Sequence, residues 1–208
     1  MRSIAKLMKD WQFTGPDGVT AAVALPHTWN AVDGQDGGND YWRGTCTYRT
    51  SFAAPAFDPA QQQVWLQFEG VNSSATVLLN GQQLCTHDGG YSTFRAEVTE
   101  LLQVENQLTV RVDNSVNDRV YPQKADFTFY GGIYRDVSLL VVNKNHIALG
   151  HFGDTGVKIT PALKEGSADI RVETLVEGSG TVTVELLDAE GRTAAKGEGE
   201  NTFLHLDA

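Results

Sequence analysis

The stretch SATVLLNGQQLCTH, residues 74–87, consists of two short apolar runs on either side of Asn80-Gly81. An Asn-Gly pair between such runs is the strongest short signal for a β-hairpin, because a type I′ turn needs positive φ at both central positions. The stretch therefore predicts two antiparallel strands joined by a two-residue turn.

The neighbouring segments also have strand patterns. Residues 62–71, QQVWLQFEGV, alternate Val64, Leu66 and Phe68 with Trp65, Gln67 and Glu69, and residues 106–116 alternate in the same way. A period of two is typical of a half-buried strand. Residues 133–142, IYRDVSLLVV, are predicted to form one further strand. Residues 92–103 have room for one or two helical turns. Many short strands with almost no helical periodicity predict an all-β antiparallel sandwich or jelly roll.

The composition and the spacing of predicted strands change near residue 143. All four tryptophans precede this point, and the strands that follow recur about every ten residues, which is typical of an immunoglobulin-like sandwich. We expect domains at residues 1–143 and 144–208. The second range holds about 65 residues, whereas such a sandwich usually needs about 100. The sequence thus predicts a second domain that is incomplete at its C-terminal end, in a fragment of a longer protein.

Composition excludes several classes of partner. Sixteen basic and 26 acidic side chains give a formal net charge of −10, and no basic run is present, so nucleic acid is not expected as a partner. No apolar stretch approaches the roughly 20 residues that span a bilayer, so no membrane insertion is expected. The first residues lack the apolar centre of a signal peptide, which predicts a cytoplasmic protein.

The cysteines and histidines give little indication of a catalytic or metal-binding site. Cys46 and Cys85 leave two alternatives, a disulfide or two thiols in a reducing compartment, and the second is favoured. The five histidines are scattered, and two cysteines without histidines at ligand spacing make a poor metal site. No nucleophile elbow, zinc-protease helix, P-loop or dinucleotide fingerprint occurs in the sequence.

Two polar and aromatic stretches are candidate binding loops. Residues 27–49 contain Trp29, Tyr41 and Trp42 among glycines, aspartates and asparagines, a mixture that suits a sugar ring. The alternative is a surface loop that packs Trp29 and Trp42 onto the sandwich. In residues 114–137, Asp126 precedes an aromatic run. Its carboxylate could bind a pair of hydroxyls, or it could cap the backbone of the next residues. Composition leaves both alternatives open.

Several blocks, in order, resemble a known family. LPHTWN, DYWRGTCTYR, FEGVNSSATVLLNGQQLCTHDGGYSTF, NQLTVRVDNS and DFTFYGGIYRDVSLL are similar to the amino-terminal region of glycoside hydrolase family two. The resemblance covers about residues 11–142 and continues beyond them. It implies a galactose-binding-like jelly roll, an immunoglobulin-like sandwich and a catalytic (β/α)-barrel that this chain lacks.

The resemblance also implies roles for particular residues. The family's two catalytic glutamates lie on the barrel, so this chain is expected to be inactive alone, and no catalytic residue is assigned to it. Asp126 matches an aspartate that hydrogen-bonds the glycone hydroxyls. A second loop of the family supplies a polar side chain near the same subsite, and here the candidates are Asn39, Asp40 and Arg43. These four residues are the predicted substrate contacts.

The blocks look closest to β-galactosidases, which predicts terminal β-galactosides as substrates. A β-glucuronidase or β-mannosidase of the same family is the alternative, as are a freestanding carbohydrate-binding module and a purely structural β-sandwich. No cofactor is expected in this region, although a divalent cation assists some family members. The other expected partners are the absent barrel of the same polypeptide and further copies of the full-length protein.

Overall fold

The protein is described by a computed structural model that covers residues 2–31, 41–120 and 128–207. The chain divides into two compact units. The first comprises Met1–Val142 with His151–Gly153, and the second comprises Asn143–Gly150 with Asp154–Ala208. A division by compactness does not test independent folding, so the domain ranges 1–143 and 144–208 stay a prediction.

The first unit is built from short strands and one turn of 3₁₀-helix. They are β1 (Ser3–Lys6), β2 (Trp11–Thr14), β3 (Thr20–Val23), β4 (Thr45–Ala53), β5 (Gln62–Phe68), β6 (Val71–Asn72), β7 (Ser74–Leu79), β8 (Gln82–Asp88), β9 (Phe94–Glu97), the 3₁₀-helix (Thr99–Leu101), β10 (Glu105–Asp113), β11 (Gly132–Ile133) and β12 (Val137–Asn143). Among the described residues, no helix has the length and hydropathy needed to cross a membrane.

Two main sheets enclose the core of this unit. Six strands follow the order β3-β2-β4-β10-β7-β8, four follow β1-β12-β5-β9, and β11 pairs separately with β6. Alternate residues of each sheet enter one apolar cluster, for example Val110 from β10 and Leu66 from β5, both fully buried. This arrangement is a jelly-roll sandwich, in which each sheet covers the apolar face of the other.

The hairpin prediction is confirmed. β7 pairs with β8 in antiparallel register through Leu79 and Gln82. Asn80 and Gly81 form the turn between them, with φ of 52° and 84°. Asparagine and glycine adopt positive φ with little strain, so the local sequence fixes where the chain reverses. Residues 92–103, where helical turns were considered, form β9 and the single turn of 3₁₀-helix.

The prediction of one strand over residues 133–142 is wrong. β11 ends at Ile133 and β12 begins at Val137. The reason is a change of sheet, because β11 pairs with Asn72 and Val71 of β6, whereas β12 pairs with β1. Between the two strands, Asp136 forms an ion pair with Lys6 at 2.6 Å.

The second unit is also antiparallel. Its strands are β13 (His146–Ile147), β14 (Val157–Lys164), β15 (Ser167–Thr174), β16 (Val176–Glu177), β17 (Thr183–Leu187), β18 (Thr193–Glu198) and β19 (Asn201–Asp207). They form a three-stranded sheet β14-β15-β19 and the pairs β17-β18 and β13-β16. Val172 and Leu204 are buried on one face of the sheet, as the period-two pattern requires.

A buried histidine completes an aromatic stack in the first unit. His87 lies parallel to Phe94 with ring centroids 4.3 Å apart, and Phe94 stacks in turn on Phe68 at 4.8 Å. The Nε2 atom of His87 lies 3.1 Å from the Gly89 carbonyl oxygen, whereas Nδ1 is buried and makes no hydrogen bond to the described residues. Burial, and secondarily the neighbouring His151, lower the pKa of His87. The neutral imidazole is therefore the form that fits this core.

The stability of the protein should fall in mild acid because of His87. Since its pKa in the folded protein lies below the ordinary 6.5, the unfolded chain takes up the proton more readily. The contribution of the neutral ring is complete above about pH 6.5 and declines as the pH falls from there toward the folded pKa. His87→Phe keeps the stack and removes the titration. Urea unfolding at about pH 7.5 and 5.5 should show a larger loss of unfolding free energy in the wild type than in the variant.

His205 supplies a control of opposite sign. Asp169 and Asp207 raise its pKa, so its contribution is complete below about pH 6.5 and is lost as the pH rises through the folded pKa. His205→Gln should steepen the loss in acid or leave it unchanged. Equal pH dependence in the wild type and His87→Phe would show that His87 has no such effect.

Candidate functional site

Asn30 joins three segments of the first unit. Its side chain is 3% exposed, and its Oδ1 accepts hydrogen bonds from Gly131 N–H at 2.7 Å and from the Asn114 carboxamide at 3.1 Å. Its Nδ2 donates to the Trp42 carbonyl at 2.9 Å. A buried carboxamide is stable only when its donors and acceptors are paired, so these bonds restrain the segments that they join.

Asn114 extends the same network. This residue is 2% exposed, its Oδ1 accepts from Gly44 N–H at 2.9 Å, and its Nδ2 also donates to the Phe129 carbonyl at 3.1 Å. Backbone bonds add to the restraint, because Asn114 N–H donates to Gly44 O at 3.2 Å. We call Asn30 and Asn114 with their bonded partners the asparagine platform. It fixes the backbone that follows residues 32–40 and the backbone that follows residues 121–127.

The glycine pair is required by close packing. A Cβ at Gly131 would lie 1.9 Å from Cζ2 of Trp29, and one at Gly132 would lie 2.3 Å from the His27 carbonyl oxygen. Gly132 also has a φ of 144°, which disfavours other residues. The indole of Trp29 stacks on Phe13 at 6.0 Å and so packs onto the sandwich, whereas Trp42 remains 38% exposed. Trp29 thus packs as the surface-loop alternative predicts, whereas sugar binding by the loop at 27–49 stays a prediction.

Arg43 lies between two aromatic rings. Its Cζ atom is 5.2 Å from the ring centroids of both Tyr41 and Phe129. The Tyr41 hydroxyl accepts a hydrogen bond from Phe129 N–H at 3.0 Å, which fixes the spacing of these two residues. Within the part of the chain that the structure describes, Arg43 makes no ion pair, and its buried Nε has no hydrogen-bond partner. A guanidinium held by cation–π contacts keeps its hydrogen-bond donors for a ligand or for another segment.

The contacts of His27 indicate a structural role. Its Nδ1 lies 2.7 Å from the hydroxyl of Tyr48, and burial lowers the pKa of the imidazole. Burial also raises the pKa of Tyr48, which keeps the phenol protonated. A neutral pair of this kind stabilises the loop rather than acting as a base. Both cysteines are free thiols, and burial raises the pKa of Cys46 to about 12.

The predicted site residues are only partly described. Arg43 lies beside the asparagine platform, whereas Asp126, Asn39 and Asp40 lie outside the described residues. Among the described residues, no group of three His, Cys, Asp or Glu side chains could hold a metal ion. Asn30 and Asn114 are not among the residues predicted from the sequence, although both stand in the blocks that carry the family resemblance. Their role depends on contacts between residues 84 positions apart, which no local pattern reveals.

A rigid β-sandwich that presents restrained loops with polar and aromatic side chains is typical of a loop-borne binding site. Residues 38–162 match the family described as glycosyl hydrolase 2 galactose-binding domain-like, and the chain belongs to this family. The predicted fold class, a galactose-binding-like jelly roll followed by an immunoglobulin-like β-sandwich, is confirmed.

Known proteins resemble the chain along its length. It is 35% identical to a putative β-glucuronidase of Formosa agariphila, over 91% of this chain and 23% of that protein. It is also 35% identical to an FMN-binding β-glucuronidase of Facaelibacterium prausnitzii L2-6, with a TM-score of 0.91 over 100% of this chain and 34% of that one. A putative β-galactosidase of Bacteroides fragilis is 31% identical, with a TM-score of 0.89 over 99% of this chain and 36% of that one. The chain thus spans between a quarter and about a third of these proteins' length.

The asparagine platform should contribute strongly to stability. Asn114→Ala removes the hydrogen bonds that its side chain makes with Gly44 N–H, the Phe129 carbonyl and Asn30 Oδ1. Each such loss costs about 1–3 kcal/mol, so we expect the free energy of unfolding to fall by about 3 kcal/mol in chemical denaturation. Asn143→Ala, at an exposed position at the end of β12, is the matched control and should change it by less than about 0.5 kcal/mol. Similar small losses in both variants would contradict a central role for the platform.

Proposed function

We propose that this chain is the non-catalytic β-sandwich part of a retaining β-glycosidase and that its loops line the sugar subsite. Membership of the glycosyl hydrolase 2 galactose-binding family carries this proposal. The length of the relatives supports it, because these glycosidases are about three to four times as long as the part that this chain matches. The remainder of the polypeptide would supply the catalytic barrel.

In this proposal, catalysis and substrate positioning belong to different parts of the protein. The barrel supplies two glutamates about 5–5.5 Å apart, one as acid/base and one as nucleophile, which is the separation that retention requires. Glu69, Glu97, Glu100 and Glu105 of this chain have no part in that reaction. The chain's own contribution is to hold hydroxyl-binding groups at a fixed distance from the reacting bond, which lowers the entropic part of the barrier.

Asp126 is the proposed glycone contact, with Arg43, Asn39 and Asp40 as further candidates. A carboxylate accepts hydrogen bonds from two adjacent hydroxyls, and such charge-assisted bonds are stronger than those between neutral groups. The asparagine platform supports this role, because it restrains Phe129 and Gly131, three and five residues after Asp126. Arg43 is restrained in the same way by its neighbours Trp42 and Gly44.

The glycone has two candidates. The sequence blocks favour a terminal β-galactoside, and the putative β-galactosidase among the relatives is compatible with it. A β-glucuronide is the second candidate, because the two relatives at 35% identity carry the name β-glucuronidase. The choice between a neutral hydroxymethyl group and a carboxylate at one ring position would be made by side chains of the barrel. Location in the cytoplasm and assembly into a homo-oligomer remain proposals based on sequence.

An activity assay tests the central proposal. The 208-residue chain should hydrolyse neither p-nitrophenyl β-galactoside nor p-nitrophenyl β-glucuronide, whereas the longer polypeptide that carries it should hydrolyse one of them. NMR of the first-formed sugar should show the β-anomer, since two displacements retain the configuration. Hydrolysis by the short chain in proportion to its concentration would contradict a non-catalytic role. Inversion would contradict the family mechanism.

Substitution of Asp126 tests the glycone contact. In the longer polypeptide, Asp126→Ala should lower kcat/KM for the preferred substrate by about 10- to 100-fold, because hydrogen bonds to a charged group contribute about 1.5–3 kcal/mol. Thermal unfolding should change little if the carboxylate serves the ligand. Asp58→Ala, at an exposed position between β4 and β5, is the control and should keep wild-type kinetics. Wild-type kinetics in Asp126→Ala would remove the residue from the site.

A further inference from the structure

A third buried asparagine builds a separate surface beside the asparagine platform. Asn72 is 2% exposed, and its Nδ2 donates to the Tyr130 carbonyl at 2.6 Å. Its backbone pairs with Gly132 in the short sheet of β6 and β11. Its Oδ1 lies against Gly90, where a Cβ would be only 2.0 Å away. Asn72 therefore fixes the segment at Tyr130 and the loop between β8 and β9 next to each other.

Three tyrosines and an arginine cover this support, and we call Tyr91, Tyr130, Tyr134 and Arg135 the tyrosine patch. The Tyr134 ring is in its centre, with Tyr130 edge-on at 5.1 Å and Tyr91 at 6.4 Å between ring centroids. The Tyr134 hydroxyl donates to the Gly90 carbonyl oxygen. The Cζ atom of Arg135 lies 5.2 Å from the centroid of the Tyr134 ring, and its Nη1 donates to the Tyr91 carbonyl at 3.3 Å. The backbone that carries the patch is thus held by Asn72, and its side chains are held by contacts with one another and with Arg135.

The outer part of the patch consists of the Tyr91 ring and the hydroxyls of Tyr91 and Tyr130. Tyr91 is 44% exposed, and the hydroxyls of Tyr91 and Tyr130 make no hydrogen bond to any residue within 2–31, 41–120 or 128–207. Burial, and secondarily the nearby Tyr130 and Tyr41, raise the pKa of Tyr91, so its hydroxyl stays protonated and can donate as well as accept. Packing accounts for Tyr134, but it does not account for the exposed Tyr91 ring or for two hydroxyls that have no hydrogen-bond partner among the described residues.

The chemistry of the patch suits a flat ring that carries hydroxyls. Aromatic faces pack against the C–H face of a sugar or against another aromatic ring, and phenol hydroxyls bind polar substituents at the ring edge. A nucleic-acid base would also stack, but a chain with a net charge of −10 repels the phosphates that accompany it. A β-glycoside offers such a ring on the leaving-group side of the bond that is cleaved.

The position of the patch along the chain agrees with this role. Tyr130 follows Asp126, the proposed glycone contact, by four residues. The two positions are thus close in sequence, and Asn72 holds the described one, Tyr130, through its carbonyl. We propose that the tyrosine patch binds the leaving-group ring, a sugar or an aromatic alcohol, of the β-glycoside whose glycone contacts Asp126. This inference rests on the proposed function and adds a second subsite to it.

The test compares three substrates that share one glycone, in the longer polypeptide. They are the methyl glycoside, the p-nitrophenyl glycoside and a disaccharide, used with the glycone that the wild type prefers. Tyr91→Ala should lower kcat/KM for the p-nitrophenyl glycoside and the disaccharide by about three- to tenfold, which is the range expected for loss of one aromatic contact. The methyl glycoside lacks a leaving-group ring and should change by less than about twofold.

Two further variants identify the contact. Tyr91→Phe keeps the ring and should keep kcat/KM for the p-nitrophenyl glycoside within about twofold of the wild type. Phe203→Ala removes a ring that is 72% exposed on β19 and should leave all three substrates unchanged. The proposal is overturned if Tyr91→Ala affects all three substrates equally or affects none. It is also overturned if Tyr91→Phe is as damaging as Tyr91→Ala for the p-nitrophenyl glycoside. If the wild type hydrolyses none of the three, the proposed function fails instead.

Discussion

Buried carboxamides are the interaction on which the loops of the first unit depend. Strands satisfy their own backbone groups, but the segments around Trp42 and Phe129 contribute to no ladder and must bond elsewhere. Asn30 and Asn114 supply those partners from inside the fold, and Asn72 does the same for Tyr130. A side-chain amide has two donors and two acceptor lone pairs, so each of these residues can join several segments at once. Side-chain hydrogen bonds thus tie irregular backbone to the rest of the first unit.

The same arrangement affects the polar and aromatic side chains near these loops that the proposed function assigns to ligand binding. Because the asparagines satisfy the backbone, Arg43 and Tyr91 are not required to do so. Arg43 is positioned by two ring faces, and its Nε has no hydrogen-bond partner among the described residues. Positioning by the apolar part of a side chain leaves the polar part for a ligand, and this is the form of preorganisation that a binding site needs.

The sequence predicted those features that depend on local chemistry. Alternation located β5 and β10, and Asn80-Gly81 located the hairpin, because burial on one face and positive φ are properties of neighbouring residues. The strand prediction failed at residues 133–142, because the chain changes sheets between β11 and β12 and the pattern of apolar residues cannot show which neighbour a strand will have. The roles of Asn30, Asn72 and Asn114 were missed for a related reason. An asparagine looks the same in sequence whether it caps a turn or joins distant loops.

The return of three residues to the first unit has a consequence for protein engineering. His151–Gly153 belong to that unit although the chain leaves it at Val142. Arg95 N–H donates to the His151 carbonyl at 2.8 Å, and Gly153 packs against Thr93 with a positive φ of 75°. A recombinant jelly roll cut at the apparent boundary would therefore lack the His151 ring, whose centroid lies 6.3 Å from that of Phe94, and would leave Arg95 N–H without this bond. A protein designed to express the first unit alone should therefore end after Gly153. The continuous part of this unit ends at Val142, but the last residues that pack in it are His151–Gly153.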